Sequence, residues 1–436
     1  MQRTGPGRGL LILRIFTEVT ETMKKVSGFS SSWIVPAILC ALALAGATGV
    51  ALAQGGEGTM DWPQYRGPNR NGISGETGWL TEWPKSGPKA LWKTSIGTGF
   101  STVSVVDGRV YAMGHAGELD TVFCFDAETG KQLWKYSYEC PIRDKQHEGG
   151  PAATPAVTDK YVFTLSREAD FYCLDAKTGN KVWYQDLTET IGAGIPEWAY
   201  AGSPLIYNDW AIHDMGMVVA FEAATGKVVW KTKDYGAAYS SPAPMNLNGR
   251  SCIAVLPKTG LAVLDASDGS EIAFHPWETR YDVNAATPLV DGNRVFISSG
   301  YNRGCTFVEI DEKGQVKVLW ENKNMRNHFN SSVLWKGCIY GFDEDELACL
   351  DSKTGAKMWS KDGLGKGSLV VAEGKLIVLS DSGELVLAEA SFAGYQELGR
   401  VQVLGGKCWT VPVLSGHRIY ARNAGGDLVC VDVRGG

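Results

Sequence analysis

Apolar positions in this chain come in short dense runs, separated by polar turns built round glycine. In Phe171-Tyr172-Cys173-Leu174 every residue is apolar or aromatic. That density fits a strand packed on both faces rather than a half-solvated strand or an amphipathic helix. The run recurs as TVFCFDA, DFYCLDA, MVVAFEA, GLAVLDA, CTFVEID, ELACLDS, ELVLAEA and DLVCVDV, eight copies in all. A β-branched and aromatic run precedes it, as in RVYAMG (109–114), KYVFTLS (160–166) and NRVFISSG (293–300). Before that lies a small-residue stretch, often ending in Ser-Pro or Thr-Pro at Pro155, Pro204, Pro242 and Pro288. After it come a glycine turn and a last run ending near tryptophan.

The turn glycines are Gly130, Gly179, Gly226, Gly269, Gly314, Gly355 and Gly394, spaced by 49, 47, 43, 45, 41 and 39 residues. Four short strands per unit of forty-odd residues is the period of a β-propeller blade. The pattern predicts an all-β, eight-bladed β-propeller of four-stranded blades. The eighth unit stops before its fourth strand, and KALWKTSIG (89–97) has that strand's character. The N-terminal strand is therefore expected to close the last blade, which removes two exposed strand edges. The prolines suit the innermost strand, an edge with no ladder bond to lose.

The turn itself is nearly verbatim four times: DAETGKQLW from Asp126, DAKTGNKVW from Asp175, EAATGKVVW from Glu222 and DSKTGAKMW from Asp351. Its glycine is expected at positive φ, where a Cβ would be penalised. Its tryptophan is expected to lie across the neighbouring blade with its N–H on a backbone carbonyl. Trp320 takes the position in the fifth unit, and Ala273 and Leu398 replace it in two others.

Composition fits many strands and tight turns: 53 Gly and 15 Trp among 436 residues. The domain reading is 1–53 signal peptide, 54–87 irregular segment lying on the propeller, and 88–436 propeller. Met23-Lys24-Lys25 gives a basic start, Trp33 to Ala53 carries no charge, and Ala51-Leu52-Ala53 offers a cleavage site. The natural start is then open between Met1 and Met23. An uncleaved anchor is the alternative, since about 20 uncharged residues span a bilayer. The chain carries −6 and residues 1–53 carry +3, so the exported part carries −6 − 3 = −9. That balance argues against nucleic acid as a partner. Localisation is read as periplasmic or envelope-associated, the protein as a monomer with no transmembrane segment after processing.

Of ten cysteines, Cys124, Cys173, Cys349 and Cys430 occupy equivalent core positions. Cys140, Cys252, Cys305, Cys338 and Cys408 leave a disulfide open, with no connectivity deducible.

The DAxTGxxxW unit resembles the PQQ-like repeat with its tryptophan-docking motif. That repeat occurs in quinoprotein alcohol dehydrogenases and in BamB, the propeller of the outer-membrane barrel-assembly machinery. The resemblance covers nearly all of residues 88–436. DWPQYRGPNRNGIS (61–74) is similar to the leader of exported proteins of this kind. The resemblance implies either a binding or scaffold protein of the cell envelope or a PQQ- and Ca²⁺-dependent dehydrogenase. The enzymes typically use adjacent cysteines, a Ca²⁺ held by Glu and Asn, a catalytic Asp and often a Cys-x-x-Cys-His haem site. This chain has neither adjacent cysteines nor Cys-x-x-Cys, and no lipobox precedes Cys40. The binding role is therefore the expected one, without a confident cofactor and without a metal site.

Ligands of propellers bind at a channel mouth, on the loops that lead into the innermost strands. Those loops carry His147, Glu148, Trp198, Tyr200 and Tyr239, then Arg280, Asp282 and Asn284, then Arg326, His328 and Asn330, and finally Lys366, Lys407 and Trp409. Aromatic rings with a few polar groups are what a small-molecule site needs. Trp198, Tyr239 and Trp409 are expected to stack on a planar ligand. Arg280, Arg326, Lys366 and Lys407 are expected to pair with its anionic groups. Asp282 or Glu148 is the candidate general base, and Asn284 the candidate ligand of a hard cation. The alternative is a mouth plugged by mutual ion pairs. Asp343 to Glu346 reads as a solvated acidic turn, and His115, His213, His275 and His417 as structural.

Overall fold

The computed structural model describes residues 61–145 and 147–435. The expected signal segment, the start site and Cys40 lie outside them. Eight sheets of four antiparallel strands follow one another as the blades of a propeller. Blade 1 is Ser104–Val106, Arg109–Ala116, Leu119–Asp126 and Gln132–Glu139. In blade 8 the outer strand is Ala90–Ser95, pairing antiparallel with Asp427–Asp432 and placing Trp92 opposite Cys430. The ring is thus closed by the N-terminal strand, as the missing fourth strand requires. One short helix, Leu187–Ile191, follows the outer strand of blade 2 and is capped by Asp186.

The repeated turn holds itself together and its neighbour in place. Asp126 Oδ1 accepts from Thr129 N at 2.8 Å and Thr129 Oγ1 at 2.7 Å. Asp175 repeats both bonds with Thr178. Gly179 sits at φ 74°, and a Cβ there would stand 2.5 Å from the Trp134 ring of the preceding blade. Positive φ and absent Cβ are both needed, because the tryptophan lies directly on the glycine. Trp134 Nε1 donates to Ala176 O at 3.2 Å, Trp183 to Ala223 O at 2.8 Å, and Trp92 to Ala127 O at 3.0 Å. Each ring therefore links one blade to the turn of the next.

The Ser-Pro and Thr-Pro pairs do the same near the axis. Thr154 Oγ1 accepts from Thr102 N, Ser203 Oγ from Thr154 N at 2.8 Å, and Ser241 Oγ from Ser203 N at 2.9 Å. Each hydroxyl accepts from the preceding blade just before the proline starts the inner strand. The core lies between blades, as in the cluster of Phe163, Phe171, Met215 and Phe221 shared by blades 2 and 3. All nine cysteines among the described residues are buried and free.

Residues 61–79 run across the end of the channel where the first and second strands of each blade turn. Trp62 bridges to Val105 of blade 1, Val157 N donates to Pro63 O, and Ile73–Ser74 adds a parallel fifth strand to blade 7. Glu76 accepts from the amides of Gly416 and His417 in blade 8. Arg66 Nη2 reaches Ser332 O at 2.6 Å in blade 6, and Arg70 Nη2 reaches Ser203 O at 2.9 Å in blade 3. Both guanidinium groups are fully buried, and burial pulls their pKa values down to about 10 and about 9. One segment thus ties six blades together and closes that end.

Candidate functional site

At the other end, the loops leading into the inner strands surround a cavity of about 290 Å³. Tyr65 of the N-terminal segment also lines it. Six of the fourteen residues expected from the sequence line it: His147, Trp198, Tyr239, His328, Asn330 and Trp409. Their rings contact one another across blades. Trp198 and Tyr239 lie 5.9 Å apart between centroids. Trp409 lies 4.5 Å from Phe329 and 6.0 Å from Phe100. His147 meets Phe100 edge-on, and His328 meets Tyr301 at 4.6 Å.

Three expected residues are at the rim, paired. Lys407 Nζ bonds Glu148 at 2.8 Å and lies 4.4 Å from the Trp409 ring centroid. Lys366 Nζ lies 3.4 Å from His328 Nδ1 and 3.9 Å from Glu344. Burial resists ionisation of Glu148, but the Lys407 ammonium outweighs it and keeps the carboxyl below its usual range. Burial lowers the pKa of His147, and the nearby Arg167 charge adds to this. Burial also lowers His328, against the pull of Glu344. Both imidazoles are neutral at pH 7.

Five expected residues are not in the wall. Tyr200 is turned into the core of blades 2 and 3, its hydroxyl donating to Gly194 O at 2.8 Å. Asn284 is fully buried; its Nδ2 donates to Pro257 O at 2.8 Å and Trp277 O at 3.1 Å, and its Oδ1 accepts from Ser299 at 2.7 Å. It supports the loop and has no face left for a cation. Arg326 is locked on Asp343 at 2.6 Å, and Lys357 holds the same carboxylate at 2.7 Å. The acidic turn is therefore not simply solvated: Asp343 is buried and Glu344 is bonded to His328 at 3.1 Å. Arg280 stacks on Tyr281 in solvent, and Asp282 pairs with Lys258 at 2.9 Å. Loop position was legible for all five, but side-chain direction in a loop has no periodicity to reveal it.

Most of the residues not anticipated, Phe100 and Phe329 among them, lie in the loops leading into the inner strands, and two come from a second set of loops. Arg167 and Tyr301 sit on hairpins between the second and third strands of blades 2 and 5. Up-and-down topology brings those hairpins to the same mouth. Arg167 is 3% exposed; its Nη2 donates to Trp198 O at 2.6 Å and its Nη1 to Gly150 O at 3.2 Å. Its Nε has no partner. Asn330 donates to Gly367 O and leaves its Oδ1 unpartnered.

The Ca²⁺ of the dehydrogenases finds no matching carboxylate in the cavity wall. Asn284 is saturated, Glu148 and Asp282 are in ion pairs, and no carboxylate lines the cavity. Among the described residues no group of three or more His, Cys, Asp or Glu is placed to hold a metal ion.

The family described as outer membrane protein assembly factor BamB matches residues 120–361. BamB of Yersinia pestis is 26% identical over 332 residues, 68% of this chain and 77% of that protein. BamB of Shewanella oneidensis is 21% identical over 79% of this chain and 89% of its own length. A quinohemoprotein alcohol dehydrogenase of Pseudomonas putida is 29% identical over 30% of this chain and 19% of its own. The structure of BamB from Moraxella catarrhalis superposes with a TM-score of 0.59 and 16% identity, covering 79% of this chain and 97% of that one. Quinohemoprotein alcohol dehydrogenase from Comamonas testosteroni gives 0.62 and 13%, over 90% of this chain and 84% of that one. Both structural likenesses carry the fold alone. The family match spans more than half of the sequence, and its repeats are those that build the blades: the chain belongs to the BamB family of PQQ-like repeat propellers.

Proposed function

We propose that this protein is a non-catalytic binding propeller of the cell envelope, working in outer-membrane protein assembly as its relatives' names state for them. The observation that carries the reading is the state of the carboxylates at the open mouth. None lines the cavity, and those at the rim are engaged: Glu148 by Lys407, Asp343 by Arg326 and Asp282 by Lys258 in ion pairs, and Glu344 by a hydrogen bond to His328. The dehydrogenase reading needs a free Asp or Glu as its base, within reach of the proton it removes. What remains is a recognition surface of aromatic rings. The reading includes export by residues 1–53, a monomer, and protein partners in the periplasm. It needs no cofactor.

Two measurements test it. Removing the protein from its host should lower the amount of folded outer-membrane barrel, read from heat-modifiable mobility on gels. Unchanged barrel levels would overturn the assembly role. Calorimetric titration with PQQ, with and without Ca²⁺, should give no heat. Tight Ca²⁺-dependent binding, lost in Trp198→Ala and Asp282→Ala, would install the quinoprotein dehydrogenase in its place.

A further inference from the structure

The cavity has a composition at odds with the rest of the molecule. The chain carries −6 overall, yet the lining contains no Asp or Glu and one Arg. Arg167 is almost fully buried there without a bonded carboxylate: its partners are two backbone carbonyls, and its Nε has none. The Asp120 and Glu168 carboxylates act on it only through space, without a bond, and a buried cation so weakly paired is unfavourable. An anion placed in the adjoining cavity relieves that cost. The two lining imidazoles are neutral, so neither repels nor replaces such an anion by charge.

The walls specify the rest of the ligand. Phe100 and Trp409 come from the loops leading into blades 1 and 8, with Phe329 beside them. Trp198 and Tyr239 come from the loops leading into blades 3 and 4. In a ring of eight, blade 4 stands opposite blade 8, so Tyr239 and Trp409 lie on opposite sides of the axis. Two facing aromatic walls accept a flat ring by stacking. Arg167, on the blade 2 hairpin, holds the Trp198 carbonyl and so stands at one side of this slot. A volume of about 290 Å³ is at the small end for ligand sites.

We propose that the cavity is a binding site for an aromatic carboxylate: one or two fused rings between the aromatic walls and a single anionic head toward Arg167, with no metal. The inference deepens the reading of this mouth as a recognition surface. Its test is separate, because barrel levels in the host report on assembly whatever the cavity binds. The same chemistry has two sources, a free aromatic acid or the carboxyl-terminal aromatic residue of a polypeptide.

The experiment titrates the purified chain, followed by tryptophan fluorescence and calorimetry. The probes are indole-3-acetate, neutral indole, and a short peptide ending in tryptophan with its carboxylate free or amidated. The expected result is saturable binding of the acid about tenfold or more tighter than of indole, the difference of one charge-assisted bond. Arg167→Met should bring the acid to the level of indole, and Trp409→Ala should weaken both. Circular dichroism and the melting temperature establish that each variant is folded. Should Arg167→Met fail to fold, Trp409→Ala and the acid-to-indole ratio in the unaltered protein still decide the matter. Preference for the free-carboxylate peptide over its amide, exceeding that for indole-3-acetate, assigns the site to chain ends; the reverse assigns it to a free acid. Equal affinity for indole and its acid, or no binding by the folded protein, overturns the proposal. Binding that requires Ca²⁺ overturns it as well.

Discussion

The two ends of the channel are made by the same repeat and are opposites. At one, residues 61–79 lie across the inner strands, with Trp62 1% exposed and Arg66 and Arg70 driven inward onto the carbonyls of Ser332 and Ser203. At the other, nothing among the described residues crosses, and an aromatic cavity opens. The closed end carries the repeated glycine turns and serves cohesion. The open end carries the irregular loops, where the blades are free to differ from one another. Substitutions should therefore cost stability at the closed end, and chiefly binding at the open one.

The sharpest test of that contrast is Trp62→Ala. It removes a fully buried ring from the crossing segment and should cost about 3–5 kcal/mol, read from the urea midpoint. An unchanged midpoint would mean that the segment rests on the ring without holding it.

Next comes an exception on the open side. Asp214, at the end of the second strand of blade 3, is fully buried, and burial raises its pKa to about 7. The native state therefore keeps a proton that the unfolded chain loses above about pH 4. The Asp214 contribution is complete below that pH and is lost as pH rises toward 7. Asp214→Asn keeps the acceptor for Gly216 N and should be more stable than the parent at pH 8, on the order of 3 kcal/mol, and equal to it at pH 3. A difference that does not change with pH would refute this.

Gly179→Ala tests the turn. The new Cβ meets the Trp134 ring at 2.5 Å and sits at φ 74°. A loss of about 1–3 kcal/mol is expected. Gly249→Ala is the control, since nothing stands within 4 Å of its Cβ at φ 92°. Its smaller loss would isolate the conformational part from the clash with tryptophan.

The smallest effect is expected at the open rim. Lys407→Ala breaks an ion pair whose partners are 29% and 39% exposed. It should change stability by less than about 1 kcal/mol in the thermal melt. A larger loss would make the rim part of the scaffold and blur the contrast between the ends.

The site was legible in part, and the residues show where legibility stopped. His147, Trp198, Tyr239, His328, Asn330 and Trp409 were found by following the chain into each inner strand. Arg167 and Tyr301 were not, because they lie on the other hairpins of the blade. Applying up-and-down order to those hairpins would have brought them to the same mouth. Tyr200, Asn284 and Arg326 lie in the right loops but point into supporting bonds. Among consecutive loop residues, a polar side chain that builds the loop is indistinguishable in sequence from one that faces the ligand.

By itself the sequence determined the number of blades, the closing strand and the tryptophan joints. These are properties of a repeat, in which strand length, turn chemistry and one large ring recur and each copy confirms the last. Only the tertiary structure decided which channel end is closed, which side chains face the cavity and which buried cation is left without a bonded carboxylate. Those outcomes depend on groups far apart in the chain. The Arg66 contact with Ser332 spans 266 residues, and the Lys407 pairing with Glu148 spans 259. No local pattern encodes such meetings; closure of the ring brings them about.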